Sequence, residues 1–361
     1  MQKIDSIEIK NFKSIRHQKI EGCKRINVFI GYPNVGKSNI LEALSLISYL
    51  NNFSIGISLK KFCRFKELID LFNDGDKKKT SEILVDDYFF SLKYIDKNQI
   101  EFSIKDLQVK KREIKIMSPE TAAGLIRGVA IECSVDKAGN IRPTSPPDNT
   151  THYSKPSLKK YSFTHSDFNV QSNANTLDYP FGENLAEVIR YDSQLRKQCG
   201  ELLYVYNLRL IFDENENIVI QKQLDDFSAF QFSFSQIAET LQRLIFHKAA
   251  IASNENTILL FEEPEAHMFP PYISKFTSDI VHDKNNNQFF LTTHSPFVLN
   301  DLMDNLKSDE LAIYIVSYKK ETGETLIHRM NEEDMHEAYQ FGYDFFMNID
   351  KFISQEQHDE V

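Results

Sequence analysis

The eight residues "GYPNVGKS", Gly31 to Ser38, constrain the fold of this chain more than any other stretch. They fit G-x-x-x-x-G-K-[ST] and stand between "KRINVFIG" (24–31), which reads as a buried strand, and "SNILEALSLISYL" (38–50), whose apolar residues recur at helical spacing. A strand, a glycine-bearing loop and a helix in that order turn the loop's backbone N–H groups toward one point. The helix N-terminus adds positive partial charge there. Nucleotide phosphates suit such a place. Gly31, Asn34, Val35, Gly36, Lys37, Ser38 and Asn39 are therefore the candidate nucleotide-binding positions, with Lys37 reaching the β/γ-phosphates and Ser38 serving as a ligand to Mg²⁺.

A second stretch, "LLFEEPEAHMFP" (259–270), ends an apolar run with two glutamates and adds a third two residues later. Carboxylates so close together repel one another unless they face a positive charge. A nucleotide triphosphate with its Mg²⁺ supplies that partner. Glu262 then becomes a metal ligand, through water, and Glu263 the group that orients and deprotonates the attacking water. "LTTHSP" (291–296) ends another buried strand and releases His294 at its tip, where it can sense the γ-phosphate and stabilise transition-state charge. The catalytic candidates are Glu263, His294 and Lys37; the metal candidates are Ser38 and Glu262. His267 reads as structural. The expected cofactors are ATP and Mg²⁺.

The rest of the chain sets these motifs in a frame. Its 361 residues suit one elaborated domain or two lobes, and 41% hydrophobic with 26% charged residues describes ordinary globular material. A net charge of −10 argues against a uniformly basic surface for nucleic acid. Cys23, Cys63, Cys133 and Cys199 form no CxxC pair and read as reduced thiols. No apolar run approaches a membrane span and "MQKIDSIEIK" lacks a signal-peptide core, so the expected location is cytoplasmic, with no membrane partner. β-rich segments from about 60 to 118 predict an antiparallel sheet. Residues 136–176, rich in Pro, Ser and Asn, predict a long mobile loop. A helix is expected over 183–206, a hairpin turning at "DENEN", a helix over 234–253, and strands over 256–263 and 288–295. The expected fold class is α/β: a P-loop NTPase core with an antiparallel β lobe and an inserted irregular or helical region. The expected divisions are 1–60 (first half of the core), 61–182 (β lobe with mobile insertion) and 183–361 (helical segment and second half of the core).

These three motifs, with "IEIKNFKSI" ahead of the loop, resemble the ABC-type ATPase heads of the RecF/SMC/OLD branch, in particular OLD-like heads of the AAA15 type. The resemblance covers about 1–50 and 230–300. It implies a head that closes around two ATP molecules as a homodimer or higher oligomer, each loop being completed by a signature helix from the other subunit. It also implies that Lys13 in "NFKSI" touches the nucleotide. The sequence departs from the family at three places. Glu262 stands where aspartate is commoner, "AETLQR" (238–243) stands where relatives carry Ser and Gly, and no Q-loop glutamine is found. Ala238 cannot bond a γ-phosphate as that serine would; Thr240, acting in trans, is the candidate substitute. The spacer between Lys37 and Glu263 lacks the heptads of SMC arms. Beyond Ser295 no acidic metal cluster of a Toprim nuclease appears, Asp301 and Asp304 reading as one helix face.

Three functions follow from this reading. The first is an ATP-driven motor or switch gating a separate effector, a nuclease or toxin, in bacterial anti-phage defence. The second is a DNA-repair clamp of RecF type, which makes DNA a possible partner. The third is a nucleotide-binding scaffold with negligible turnover. The aromatic stretch "YQFGYDFFMNIDKF" (339–352), the β lobe and 136–176 are candidate holding surfaces for an effector.

Overall fold

A computed structural model describes residues 3–51, 58–106, 131–143, 157–165, 175–335 and 345–354. The sequence readings at 107–118, at 144–156 and 166–174 within the expected loop, and at 339–344 lie outside these residues. The chain forms two compact units, one of Met1–Leu158 with Ser308–Val361 and the other of Lys159–Lys307.

The first unit opens with β1 (Ile7–Phe12), β2 (Ile15–Ile20) and β3 (Ile26–Ile30), followed by α1 (Lys37–Asn51). In β1, Ile7 and Ile9 are buried while Glu8 and Lys10 are half-buried, the alternation of a strand with one face on a core. All five residues of β3 are buried, as expected for a strand covered on both faces. Then come β4 (Ser81–Val85), β5 (Tyr88–Asp96), β6 (Gln99–Asp106), β7 (Ile131–Asp136) and β8 (Ile141–Pro143). They join the first hairpin in a seven-stranded sheet of order β2-β1-β4-β5-β6-β7-β8, antiparallel throughout. This is the β lobe that the composition of residues 60–118 anticipates, although 59–75 forms short 3₁₀ turns rather than strand.

The second unit begins within β9 (Leu158–Tyr161) and continues through α2 (Leu185–Tyr191), α3 (Ser193–Tyr204), β10 (Leu208–Phe212), β11 (Ile218–Gln223) and β12 (Ala229–Ser233). It ends with α4 (Glu239–Ala252), β13 (Ile258–Glu262), α5 (Pro270–Val281), β14 (Gln288–Thr292) and α6 (Pro296–Asn305). β13 and β14 run parallel, with Glu262 opposite Thr292, and β9 lies beside β13. Tyr161, Phe246, His247, Phe261 and Phe276 make an aromatic core, ring centroids 5.3–6.2 Å apart from pair to pair.

The structure corrects three expectations here. Residues 136–176 are not one loop, because β8 and β9 fall within them. Leu158 and Tyr161 are buried, and that burial outweighs the surrounding Pro/Ser composition. The helix expected over 183–206 is two helices. Asp192 breaks it, its carboxylate accepting the Gln194 and Leu195 N–H groups to cap α3. The helix expected from 234 starts at Glu239, after a 3₁₀ turn fixed by a Ser233–Gln236 capping box, and β12 is a strand the sequence reading missed.

Back in the first unit, β15 (Leu311–Lys319) runs parallel to β3 and antiparallel to β16 (Glu324–Arg329). α7 (Ile349–Ser354) follows, with Phe345 and Ile349 buried, so this part of the aromatic tail packs on its own unit; Met347 is exposed. Among the described residues no helix is long and apolar enough to cross a membrane.

Candidate nucleotide site

The loop of the first unit takes the shape its glycines require. Gly31 has φ 155° and a Cβ there would lie 2.1 Å from the Val316 carbonyl oxygen; Gly36 has φ 102°, and a Cβ would meet Thr325 Oγ1 at 2.2 Å. Asn34 takes the left-handed conformation at φ 63°, which asparagine tolerates better than most side chains. α1 begins at Lys37 with no acidic residue in its first turn, so nothing of the helix's own opposes an anion at its N-terminus. Lys37 is 4% exposed, and its ammonium donates to the carbonyls of Gly31 (2.9 Å) and Tyr32 (2.8 Å), which keeps a positive charge folded onto the loop. A backbone too crowded for side chains, an unopposed helix start and a tethered ammonium together fit a phosphate group.

Beneath the loop runs a chain of hydrogen bonds that sequence reasoning missed. Asn39 Nδ2 donates to Ser14 Oγ (2.6 Å), the Ser14 and Thr325 hydroxyls are 2.6 Å apart, and Thr325 Oγ1 donates to the Val35 carbonyl (2.9 Å). With Ser14 donating to Thr325, every hydroxyl proton has an acceptor. The amide of Asn39 is thereby directed into this brace. Thr325 is wholly buried on β16, and nothing local in "ETLIHR" marks it out.

Lys13 lies in the turn between β1 and β2 at φ 49°. Its ammonium pairs with the fully buried Glu42 carboxylate of α1 and donates to the Arg64 carbonyl at 2.6 Å; Arg64 Nε completes the cluster, 2.8 Å from Glu42. A nucleotide contact by Lys13 competes with that ion pair.

In the second unit the strand ends of β13 and β14 are laced together. Glu263, at φ 43°, donates its backbone N–H to Thr292 O (3.0 Å) and Thr292 Oγ1 (3.2 Å). A left-handed conformation is costly for glutamate, and residues so held cluster where side-chain aim matters. Glu263 and His294 are brought together: Nε2 lies 3.5 Å from Oε1, with both side chains over a third exposed or close to it (44% and 34%). An exposed carboxylate with a histidine beside it can accept a proton from water. Glu262 has a basic neighbour of its own. Its Oε2 lies 3.5 Å from the Nζ of Lys160, a lysine only 5% exposed on β9 that the expected-loop reading had hidden.

Glu265 corrects the reading of the three glutamates as one cluster facing a nucleotide. It is 8% exposed, and its Oε1 accepts from Thr293 Oγ1 (2.6 Å) and the His294 N–H (3.0 Å). Burial pushes its pKa up, opposed in part by the Thr293 bond. Thr240 directs its hydroxyl to the His267 carbonyl at 2.7 Å, so donating to a phosphate requires breaking that bond. Ala238 caps α4 without any side-chain bond.

Other chemistries find little support. Burial pushes the Cys23 and Cys199 thiols up to about 12, leaving them protonated and unreactive. Among the described residues no group of three or more His, Cys, Asp or Glu could hold a metal. The donors offered by Ser38 and Glu262 are hard oxygens, which suit Mg²⁺ that keeps its waters and leans on substrate phosphates.

Residues 142–300 match the family described as "AAA domain, putative AbiEii toxin, Type IV TA system". An "ATP/GTP phosphatase" of Helicobacter pylori (strain ATCC 700392 / 26695) is 30% identical over 117 residues, which is 32% of this chain and 29% of that protein. An uncharacterized protein of Methanocaldococcus jannaschii is 33% identical over 121 residues, 31% of this chain and 55% of that protein. The DNA replication and repair protein RecF of Thermoanaerobacter sp. (strain X514) is 40% identical over 50 residues, 14% of each chain. The matched stretches thus span well under two thirds of each relative. Among solved structures, an SMC head bound to the C-winged helix domain of ScpA aligns with TM-score 0.51 and 14% identity over 92% of this chain and 99% of that one. The fold is that of an SMC/RecF-like ABC-type ATPase head, an α/β P-loop core carrying an antiparallel β lobe.

Proposed function

We propose that this chain is an ATP-binding and ATP-hydrolysing head of the OLD-like kind. The observation that carries the proposal is the loop at the start of α1, where Lys37 is folded onto the carbonyls of Gly31 and Tyr32 beside two positions closed to any Cβ. Bound ATP with Mg²⁺ supplies the scissile phosphoanhydride. Backbone N–H groups of residues 34–39 and the Lys37 ammonium would neutralise phosphate charge, Ser38 and Glu262 would hold the cation, Glu263 would accept the proton of the attacking water, and His294 would stabilise developing charge. Thr240 reaches the nucleotide of a second subunit once its bond to His267 opens, so the active form is a homodimer or larger. The chain acts as a nucleotide-driven switch for a separate effector protein in bacterial anti-phage defence. The toxin–antitoxin description of the matching family supports this reading.

The test is a single set of assays on purified protein. Wild type should hydrolyse ATP and leave DNA and RNA intact with Mg²⁺ or Mn²⁺, while Lys37→Ala should keep its fold and lose nucleotide binding and hydrolysis. Undiminished hydrolysis by well-folded Lys37→Ala defeats the nucleotide reading. Cleavage of nucleic acid that persists in Glu263→Gln defeats the need for a separate effector.

A further inference from the structure

We infer that Glu265 is a positioning residue for His294, a reading that rests for its catalytic consequence on the ATPase proposal. β14 ends at Thr292 and α6 begins at Pro296, so residues 293–295 form a link with neither ladder nor helix to hold it. One carboxylate oxygen ties that link down. Glu265 Oε1 accepts the Thr293 hydroxyl at 2.6 Å and the His294 backbone N–H at 3.0 Å, and Thr293 Oγ1 in turn accepts the Ser295 N–H at 2.9 Å. All three residues of the link are therefore referred to one buried side chain. From the other direction Glu263 is fixed to the same strand end by its N–H bond to Thr292 O at 3.0 Å. The imidazole of His294 and the carboxylate of Glu263, 3.5 Å apart, are thus both set by bonds between the 263–265 turn and the 292–295 strand end.

The choice of a carboxylate is informative. Glu265 is 92% buried by its 8% exposure, and its second oxygen, Oε2, has no hydrogen-bond partner. A buried acid with one orphaned oxygen is unfavourable on its own account. Its compensation is the geometry of the link: a single oxygen accepts two donors from adjacent residues, which a shorter hydroxyl side chain at this place would not reach. Charge on Glu265 also bears on Glu263, whose proximity is among the influences raising the Glu265 pKa. The brace and the exposed carboxylate consequently belong to one electrostatic unit.

Two measurements test this. Hydrogen exchange of the segment 290–297 should quicken at His294 in Glu265→Ala and remain near wild type in Glu265→Gln, which keeps an acceptor oxygen. In ATPase assays Glu265→Ala should lower kcat about 10-fold, as removal of an orienting partner commonly does, with KM for ATP little changed. Glu265→Gln should restore most of the rate, and Glu265→Ala combined with His294→Ala should be no slower than His294→Ala alone. Unaltered exchange in Glu265→Ala, or losses that multiply in the double variant, would overturn the inference. Quickened exchange in a protein whose wild type hydrolyses no ATP would uphold the brace and strike down the ATPase reading. Should Glu265→Ala fail to fold, Thr293→Val removes one strut of the same brace at constant shape and is expected to shift exchange and kcat in the same directions.

Discussion

The two units treat buried polarity in opposite ways. In the first, polar groups close upon one another: Asn39, Ser14 and Thr325 pass hydrogen bonds in one direction to the Val35 carbonyl, and Glu42 gathers Lys13 and Arg64. In the second, ionisable groups are buried short of partners. Of the four buried side-chain atoms without a hydrogen bond among the described residues, His247 Nδ1, Glu265 Oε2 and Asp279 Oδ2 lie there, and only Ser81 Oγ lies in the first unit. The loop at the start of α1 is shaped by its backbone, over a chain of satisfied hydrogen bonds. The acidic strand end is made of side chains, with Glu263 and His294 3.5 Å apart and Glu265 buried behind them. A cradle must hold its shape; a base must be able to gain and lose a proton.

The largest expected effect follows from that contrast. Glu263→Gln keeps the shape of the strand end and removes its base, so kcat should fall about 10²–10⁴-fold while ATP still binds. The variant should also accumulate as an ATP-stabilised dimer on size-exclusion chromatography. Normal turnover in Glu263→Gln, with turnover lost in Glu262→Gln, would reverse the roles given to the two glutamates.

Acid should act chiefly on the second unit. Burial lowers the His247 pKa from 6.5 to about 3, so the folded protein keeps this imidazole neutral while the unfolded chain takes up a proton below about 6.5. The stability this contributes is complete above pH 6.5 and drains away as pH falls toward 3. At about 1.4 kcal/mol per pH unit, the loss near pH 4.5 amounts to about 2–3 kcal/mol. Denaturant unfolding of wild type and His247→Leu at pH 7 and pH 4.5 should show a weaker acid loss in the variant. Glu265 and Asp279 contribute with the opposite sign: their pKa values are raised by burial, so the folded state holds protons the unfolded state releases, and stability falls as pH rises through that window. Equal acid sensitivity in His247→Leu and wild type would remove this part of the contrast.

The smallest effect belongs to the first unit. Thr325→Val deletes the hydroxyl link beneath the loop and should cost about 1–2 kcal/mol of stability, read by thermal or denaturant unfolding, with ATP affinity nearly unchanged. A loss of ATP binding as deep as that of Lys37→Ala would mean that the cradle depends on its side-chain brace and not on its backbone.

What the sequence made legible follows the same division. The strand–loop–helix order and the backbone shape of the loop could be read from residues 24–50 because glycine and lysine at fixed spacing report backbone geometry directly. The β lobe was legible from its β-branched and aromatic segments, and β13 and β14 from their apolar runs. Thr325 was not legible, since its role depends on β16 returning to the loop from the far end of the chain. Lys160 was hidden because a four-residue strand sits inside a Pro- and Ser-rich neighbourhood whose composition outweighed it. Glu265 was seen but misassigned. Spacing placed it with Glu262 and Glu263, whereas the turn after Glu263 buries it against Thr293 and His294. Proximity in sequence could not distinguish a carboxylate facing solvent from one facing the protein.

The parallel pairing of β3 with β15, Ile26 opposite Leu311, has a consequence for how the protein is made. The loop motif leaves the ribosome well before residues 311–315, so the strand that leads into it gains this neighbour only when those have emerged, and Thr325 arrives later still. At about 5–20 residues per second the growing chain carries β3 for many seconds without that partner. During this interval its sequence, apolar but for Asn27, is a liability for aggregation, and contacts so distant in sequence form slowly. The loop motif is thus translated long before it is completed, and a chain interrupted before Leu311 would contain all of Gly31–Ser38 without the strand that pairs with β3.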